Sequence, residues 1–250
     1  QLMMGVGLHR SGGCVGKAIT GWLPALTWLT MNLGAAILTV AVLMGLKVSV
    51  IVMFPLPLVG AQMGVWSMES VIVGFTGIYL VLACMILCYP LLVLKMMFFG
   101  KKRQELVLSE RSLNEPGMLG MLLAAATLLL TGLPLVVVGT TLVLALYKVI
   151  PMSLAAWAAD PVVFQYTFYL FAHNLMEAMA LMVASAMYAT LPLYLADGSR
   201  KLYSEKLANL ALWVLLVTSV TSGLHHFITF YPNQPAALSY WGNIMSWGTG

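Results

Sequence analysis

An all-α, polytopic transmembrane helical bundle of about five to six spans is the fold this sequence predicts, and three observations predict it. The 250 residues are 61% hydrophobic and only 8% charged, whereas an ordinary soluble domain is about 25% charged and about 45–50% apolar. Five apolar stretches reach the roughly 20 residues needed to cross a bilayer. The few charges alternate between connections in a regular way. A soluble fold of this size has no interior large enough for so much apolar surface. Disorder, a disulfide scaffold and a nucleic-acid module are excluded on the same ground. The surroundings implied are the lipid bilayer, with no nucleic-acid partner. The net charge of +4 therefore speaks of membrane orientation.

The first span is expected over residues 22–46, the second over 70–99, the third over 118–149, the fourth over 162–195 and the fifth over 206–230. A sixth begins near residue 240. The second, third and fourth exceed the minimum, which implies tilt or extra turns outside the bilayer. Together they read as one integral membrane domain over residues 1–250, part of a larger subunit. The chain opens Gln1-Leu2-Met3-Met4, so its start is expected to differ from the native start.

Orientation follows from the basic residues. Arg10 and Lys17 precede the first span. Lys101, Lys102, Arg103 and Arg111 fill the second-to-third connection, and Arg200, Lys201 and Lys206 the fourth-to-fifth. The first-to-second connection has only Lys47 and Glu69, the third-to-fourth only Lys148 and Asp160, and residues 231–239 have no charge. Basic loops face the cytoplasm. Loops 100–116 and 197–206 are thus assigned to the cytoplasmic side of a prokaryotic membrane. The apolar stretch from Val48 to Glu69, with Pro55 and Pro57, reads as a short interfacial helix or packed loop.

Other motifs carry less. Cys84 and Cys88, four apart, share a face of an expected α-helix and read as buried small hydrophobes, while Cys14 lies in a Gly-rich loop. Gly60 and Gly64 match the small-residue packing motif. His9 reads as a solvated loop residue. The 18 methionines form no regular stripe and read as packing.

Nearly all charged and histidine residues sit in loops or toward span ends, and four stand apart. His173 and Glu177 lie in the fourth span, and His225 and His226 near the end of the fifth. A titratable group at membrane depth is costly, so it is a candidate functional site by default. His173 is about 11 residues into its span, or roughly 16 Å by helical rise. The His pair lies about one turn from the end of its span. All three imidazoles are thus placed in the outer half of the bilayer. Glu177 is one turn beyond His173 on the same face. Three neutral imidazoles converging on one point outline a site for iron, copper or zinc, and a carboxylate suits iron better than copper. Two other readings stay open at this point. A lone membrane histidine also serves to hydrogen-bond neighbouring helices, and Glu177 also reads as a proton-relay carboxyl.

The segments Phe171-Ala172-His173-Asn174 and Ser222-Gly223-Leu224-His225-His226-Phe227 resemble the metal-ligand helices of subunit I of the heme-copper oxidase superfamily. That family carries one active-site ligand on its sixth helix and a His-His pair on its seventh. The resemblance implies that the chain spans helices three to eight of such a subunit. It implies a non-heme metal, iron or copper, held by His173, His225 and His226, with a heme next to it. The family's heme ligands find no match here, so the heme-ligating remainder of the subunit or a second subunit is implied as partner. So is an electron donor, cytochrome c or quinol.

The departures from the family sharpen the reading. The Trp and Gly usual ahead of the sixth-helix histidine are replaced by Tyr169-Leu170-Phe171-Ala172. The redox tyrosine of common oxygen-reducing members stands four residues after the first histidine, where this chain has Glu177. The C-type oxidases carry it six residues before the His pair, where this chain has Ser219. A glutamate at the first of these places resembles the nitric-oxide reductases of the superfamily, with Glu177 as ligand and proton-handling catalytic residue. The expected function is therefore nitric-oxide reduction coupled to respiratory electron transfer. An oxygen-reducing cytochrome c or quinol oxidase is the nearest alternative. A non-enzymatic membrane cytochrome and a proton-relay transporter are the others. Tyr166, Tyr169, Thr218, Thr221 and Ser222 are candidates to line a proton route.

Overall fold

The computed structural model describes residues 5, 21–46, 67–99, 115–194 and 202–222, without the side chains of residues 193 and 219–222. Within these residues the chain is helical and has no strand. Its elements are α1 (Trp22–Leu43), α2 (Met68–Ala83), a π-helical segment (Cys84–Cys88), α3 (Tyr89–Phe99), α4 (Pro116–Leu146), the short α5 (Met152–Ala155), α6 (Pro161–Thr190), a 3-10 turn (Leu191–Tyr194) and α7 (Glu205–Ser222). Four continuous helical stretches are long and apolar enough to cross a membrane: α1, α2 through α3, α4 and α6. They match the first four expected spans. Of the fifth, residues 205–222 are described as α7; its expected end, the sixth span, Cys14, His9, the Gly60/Gly64 pair and most of the connecting loops lie outside the described residues.

The helix ends differ from expectation by a few residues, each for a local reason. The expected first span ran to Leu46, but α1 stops at Leu43 because Gly45 turns left-handed (φ 93°). The amide of Gly45 then bonds the carbonyl of Val42, and that of Leu46 the carbonyl of Ala41. This is the Schellman cap. The third span ends at Leu146 rather than Val149 by the same device, with Lys148 left-handed (φ 58°). There the Lys148 amide bonds Ala145 and the Val149 amide bonds Leu144. The second span starts at Met68, so Glu69 lies in its first turn and not in the preceding connection; Ser67 caps that turn through its hydroxyl. The fourth span starts at Pro161, with the Asp160 carboxylate accepting from the amides of Val162 (2.8 Å) and Val163 (3.1 Å). Proline suits this first position because its missing amide hydrogen has no partner there anyway. The fourth span ends at Thr190, and Leu191–Tyr194 tightens into a 3-10 turn.

Cys84 and Cys88 lie on a π segment and not on the expected α-helix. Pro90 follows two residues later. It has no amide to offer the carbonyl four residues back, and its ring crowds that carbonyl. A turn paired five residues apart avoids both problems. Cys84 is buried and its thiol donates to the carbonyl of Thr27 (3.1 Å), while Cys88 is half-buried.

The chain divides into two compact units. One comprises residues 25–88 and 131–171, the other residues 1–24, 89–130 and 172–250. In the first, Val71, Phe75, Val138, Leu142, Ala158 and Phe164 form a core with Ala41 and Leu46. Two hydroxyl pairs tie α2 to α4 and to the turn that follows it in this unit: Tyr79 with Thr140 (2.7 Å) and Thr76 with Tyr147 (2.8 Å). Such bonds between membrane helices contribute on average about 0.6 kcal/mol each. In the second unit, α4 meets α6 through glycines. A Cβ on Gly120 would lie 2.9 Å from that of Ser185, and the Ser185 hydroxyl donates to the Gly117 carbonyl. Tyr89 donates to the sulfur of Met182 (3.7 Å). Apolar side chains on the outer helix faces, such as Trp28, Leu130, Met176 and Val217, are exposed, as expected where lipid replaces water as solvent.

Candidate metal centre

The second unit carries the described part of the site. Along α6, Asn174, Ala178, Leu181, Met182 and Ser185 are buried and form one stripe. Met176, Val183 and Met187 are exposed on the far side. His173 and Glu177 each precede a member of the buried stripe by one residue and are half-buried. They therefore lie on one flank of the helix, one turn apart. By helical rise, His173 stands roughly 18 Å and Glu177 roughly 24 Å from the start of α6. Both sit at mid-length of a 30-residue helix.

The sequence-predicted ligands divide accordingly. His173 and Glu177 are brought together by the helix. His225 and His226 lie outside the described residues. Among the described residues, no three His, Cys, Asp or Glu side chains gather as a metal-holding group. The donor set that is described fits the implied metal. A neutral imidazole and a carboxylate on one half-buried flank supply nitrogen and oxygen donors of the kind iron accepts. Two such donors do not by themselves complete a coordination shell.

Sequence reasoning passed over Asn174. It is fully buried beside His173, and buried amides in folded proteins are hydrogen-bonded. Its signal was present in the Phe171-Ala172-His173-Asn174 segment, but only burial singles it out. The residues expected to line a proton route are mixed. Tyr166 and Tyr169 are half-buried on α6, and the Thr218 hydroxyl bonds back to the carbonyls of Val214 and Leu215, both at 3.0 Å.

A helical integral membrane protein is thus the class that fold and composition define. The family model for cytochrome c and quinol oxidase polypeptide I matches residues 14–249, and the chain belongs to that family. No curated protein and no solved structure matches it. Family membership makes the chain an oxidoreductase of the heme-copper superfamily, a catalytic-subunit sequence that works with heme and metal in a respiratory membrane complex.

Proposed function

We propose that this chain provides the non-heme metal face of a nitric-oxide-reducing member of the superfamily, with His173, His225, His226 and Glu177 as the metal's ligands. The observation that carries the reading is the pairing of Glu177 with His173 on one half-buried flank of α6. Glutamate occupies the place where the resemblance leads one to expect the redox tyrosine of common oxygen reductases. Reduction of two nitric oxide molecules to nitrous oxide and water consumes two electrons and two protons. The metal and the heme beside it supply those electrons when bound. The residues of this chain do the rest. His173 presents a neutral ring nitrogen and so fixes the metal's position. Glu177 favours iron by adding an oxygen donor and offers a carboxylate that takes up and releases a proton one turn away. The electron donor is cytochrome c or a quinol, and the heme ligands lie in the remainder of the subunit or in a second one. The loops 100–116 and 197–206 are cytoplasmic, and the metal sits in the outer half of the bilayer.

Metal analysis with EPR on the purified complex tests the ligand set. One non-heme metal per chain is expected, with loss of most of it in His173→Ala. Unchanged metal content in that variant removes the assignment. Iron in the site, with turnover of nitric oxide exceeding that of oxygen, supports the reductase.

The oxygen-reducing alternative rests on the description of the matching family, which names cytochrome c and quinol oxidases. Copper in the site and preferential oxygen turnover would establish it in place of the first reading.

A further inference from the structure

Lys148 is the one non-glycine residue with a positive φ among the described residues (58°). It fills the left-handed place of the cap that ends α4. At the corresponding place after α1 the chain uses Gly45, which adopts this backbone without strain. An L-residue with a side chain is strained there, and such strain concentrates at functional positions. Among the described residues the Lys148 ammonium makes no ion pair.

The residue lines an open crevice of about 750 Å³ in the first unit. Its other walls are apolar: Met68 and Ile72 at the start of α2, Ala145 and Leu146 at the end of α4, and Met152 opening α5. Sites of this size suit ligands with a substantial apolar body. Glu69, in the first turn of α2, is exposed and does not line it. Tyr147 and Trp157, on the same connection, are about half exposed (51% and 47%). Aromatic rings of this kind and lysine together mark the headgroup level of a membrane.

A single cation over apolar walls at that level complements an anion that carries acyl chains. We propose that this crevice binds an anionic phospholipid, with the Lys148 ammonium on the phosphate and the first part of the chains against Ile72, Leu146 and Met152. The left-handed backbone fixes where the lysine stem leaves the helix end.

The test uses the assembled complex in phosphatidylcholine nanodiscs carrying spin-labelled phosphatidylglycerol. The wild type is expected to retain one motionally restricted phosphatidylglycerol per chain in preference to labelled phosphatidylcholine. Lys148→Asn, a residue that tolerates left-handed backbone, is expected to lower that preference about five-fold, and Lys148→Arg to keep it. Ile72→Trp, which fills the crevice and leaves the charge, is expected to release the lipid as well. A wild type without preference overturns the proposal and requires no variant to fold. Retention unchanged in both Lys148→Asn and Ile72→Trp overturns it too. Displacement of the label by inorganic phosphate alone would assign the site to a free anion, and a cross-link from Lys148 to a carboxylate of a neighbouring polypeptide would assign it to a protein partner. Either result overturns the lipid assignment.

Discussion

Gly34 and Gly77 bring the backbones of α1 and α2 into direct contact. A Cβ added to Gly77 would lie 2.6 Å from the amide nitrogen of Leu38, and one added to Gly34 would lie 2.9 Å from the carbonyl oxygen of Gly77. Both neighbours are backbone atoms, which cannot swing aside. Membrane helices lack a hydrophobic drive toward one another and associate through such close packing. Gly77→Ala is therefore expected to destabilise the complex by about 1–3 kcal/mol, read as a lower thermal midpoint in detergent. A midpoint equal to wild type would show that the two helices separate at little cost.

The Tyr79–Thr140 pair offers a contrasting case. Thr140 also bonds the carbonyl of Val136 (2.6 Å), so removing the tyrosine hydroxyl leaves no orphaned partner. Tyr79→Phe should cost only about 0.6 kcal/mol. A loss several times larger in the same thermal assay would mean that the hydroxyl serves more than this one bond.

Asp160 satisfies two amides at the start of α6, the helix that carries His173 and Glu177. Asp160→Ala is expected to cost about 1 kcal/mol, and Asp160→Asn much less, since asparagine also caps. Hydrogen exchange of the Val162 and Val163 amides reads the change directly. Protection unchanged in the alanine variant would contradict the cap.

Glu177→Gln separates ligand from proton carrier. The amide is nearly isosteric but takes up no proton. Under the function proposed above, nitric oxide turnover is expected to fall about 10²–10⁴-fold, while the metal content stays near that of wild type. Activity within a few-fold of wild type would remove Glu177 from proton delivery, and loss of the metal would make it chiefly a ligand.

Much of this was legible in the residues. The apolar stretches locate the membrane helices because span length is imposed by the bilayer and not by neighbours. The His173/Glu177 pair is legible for a similar reason. A spacing of four on any helix gives one face, whatever packs against it. The Asp160-Pro161 start is equally local. The burial of Asn174 was not legible, because it depends on what lies opposite.

What the chain determines by itself is thus the long membrane helices, their ends to within a few residues, and the pairing of the two ionisable side chains on α6. What only the tertiary structure decided is which faces meet. Helices apolar on every side carry no periodic stripe to point inward, and Gly34 with Gly77 emerged as a close crossing because of where neighbouring backbones lie. Prolines make the same point. Pro134 sits inside α4 without displacing its α geometry, whereas the stretch before Pro90 widens into a π turn that seats Ile86 against Gly132, where an added Cβ would meet Ile86 side-chain carbons at 2.5–2.9 Å. A missing amide permits a wider turn, and the surface packed against it selects whether one forms.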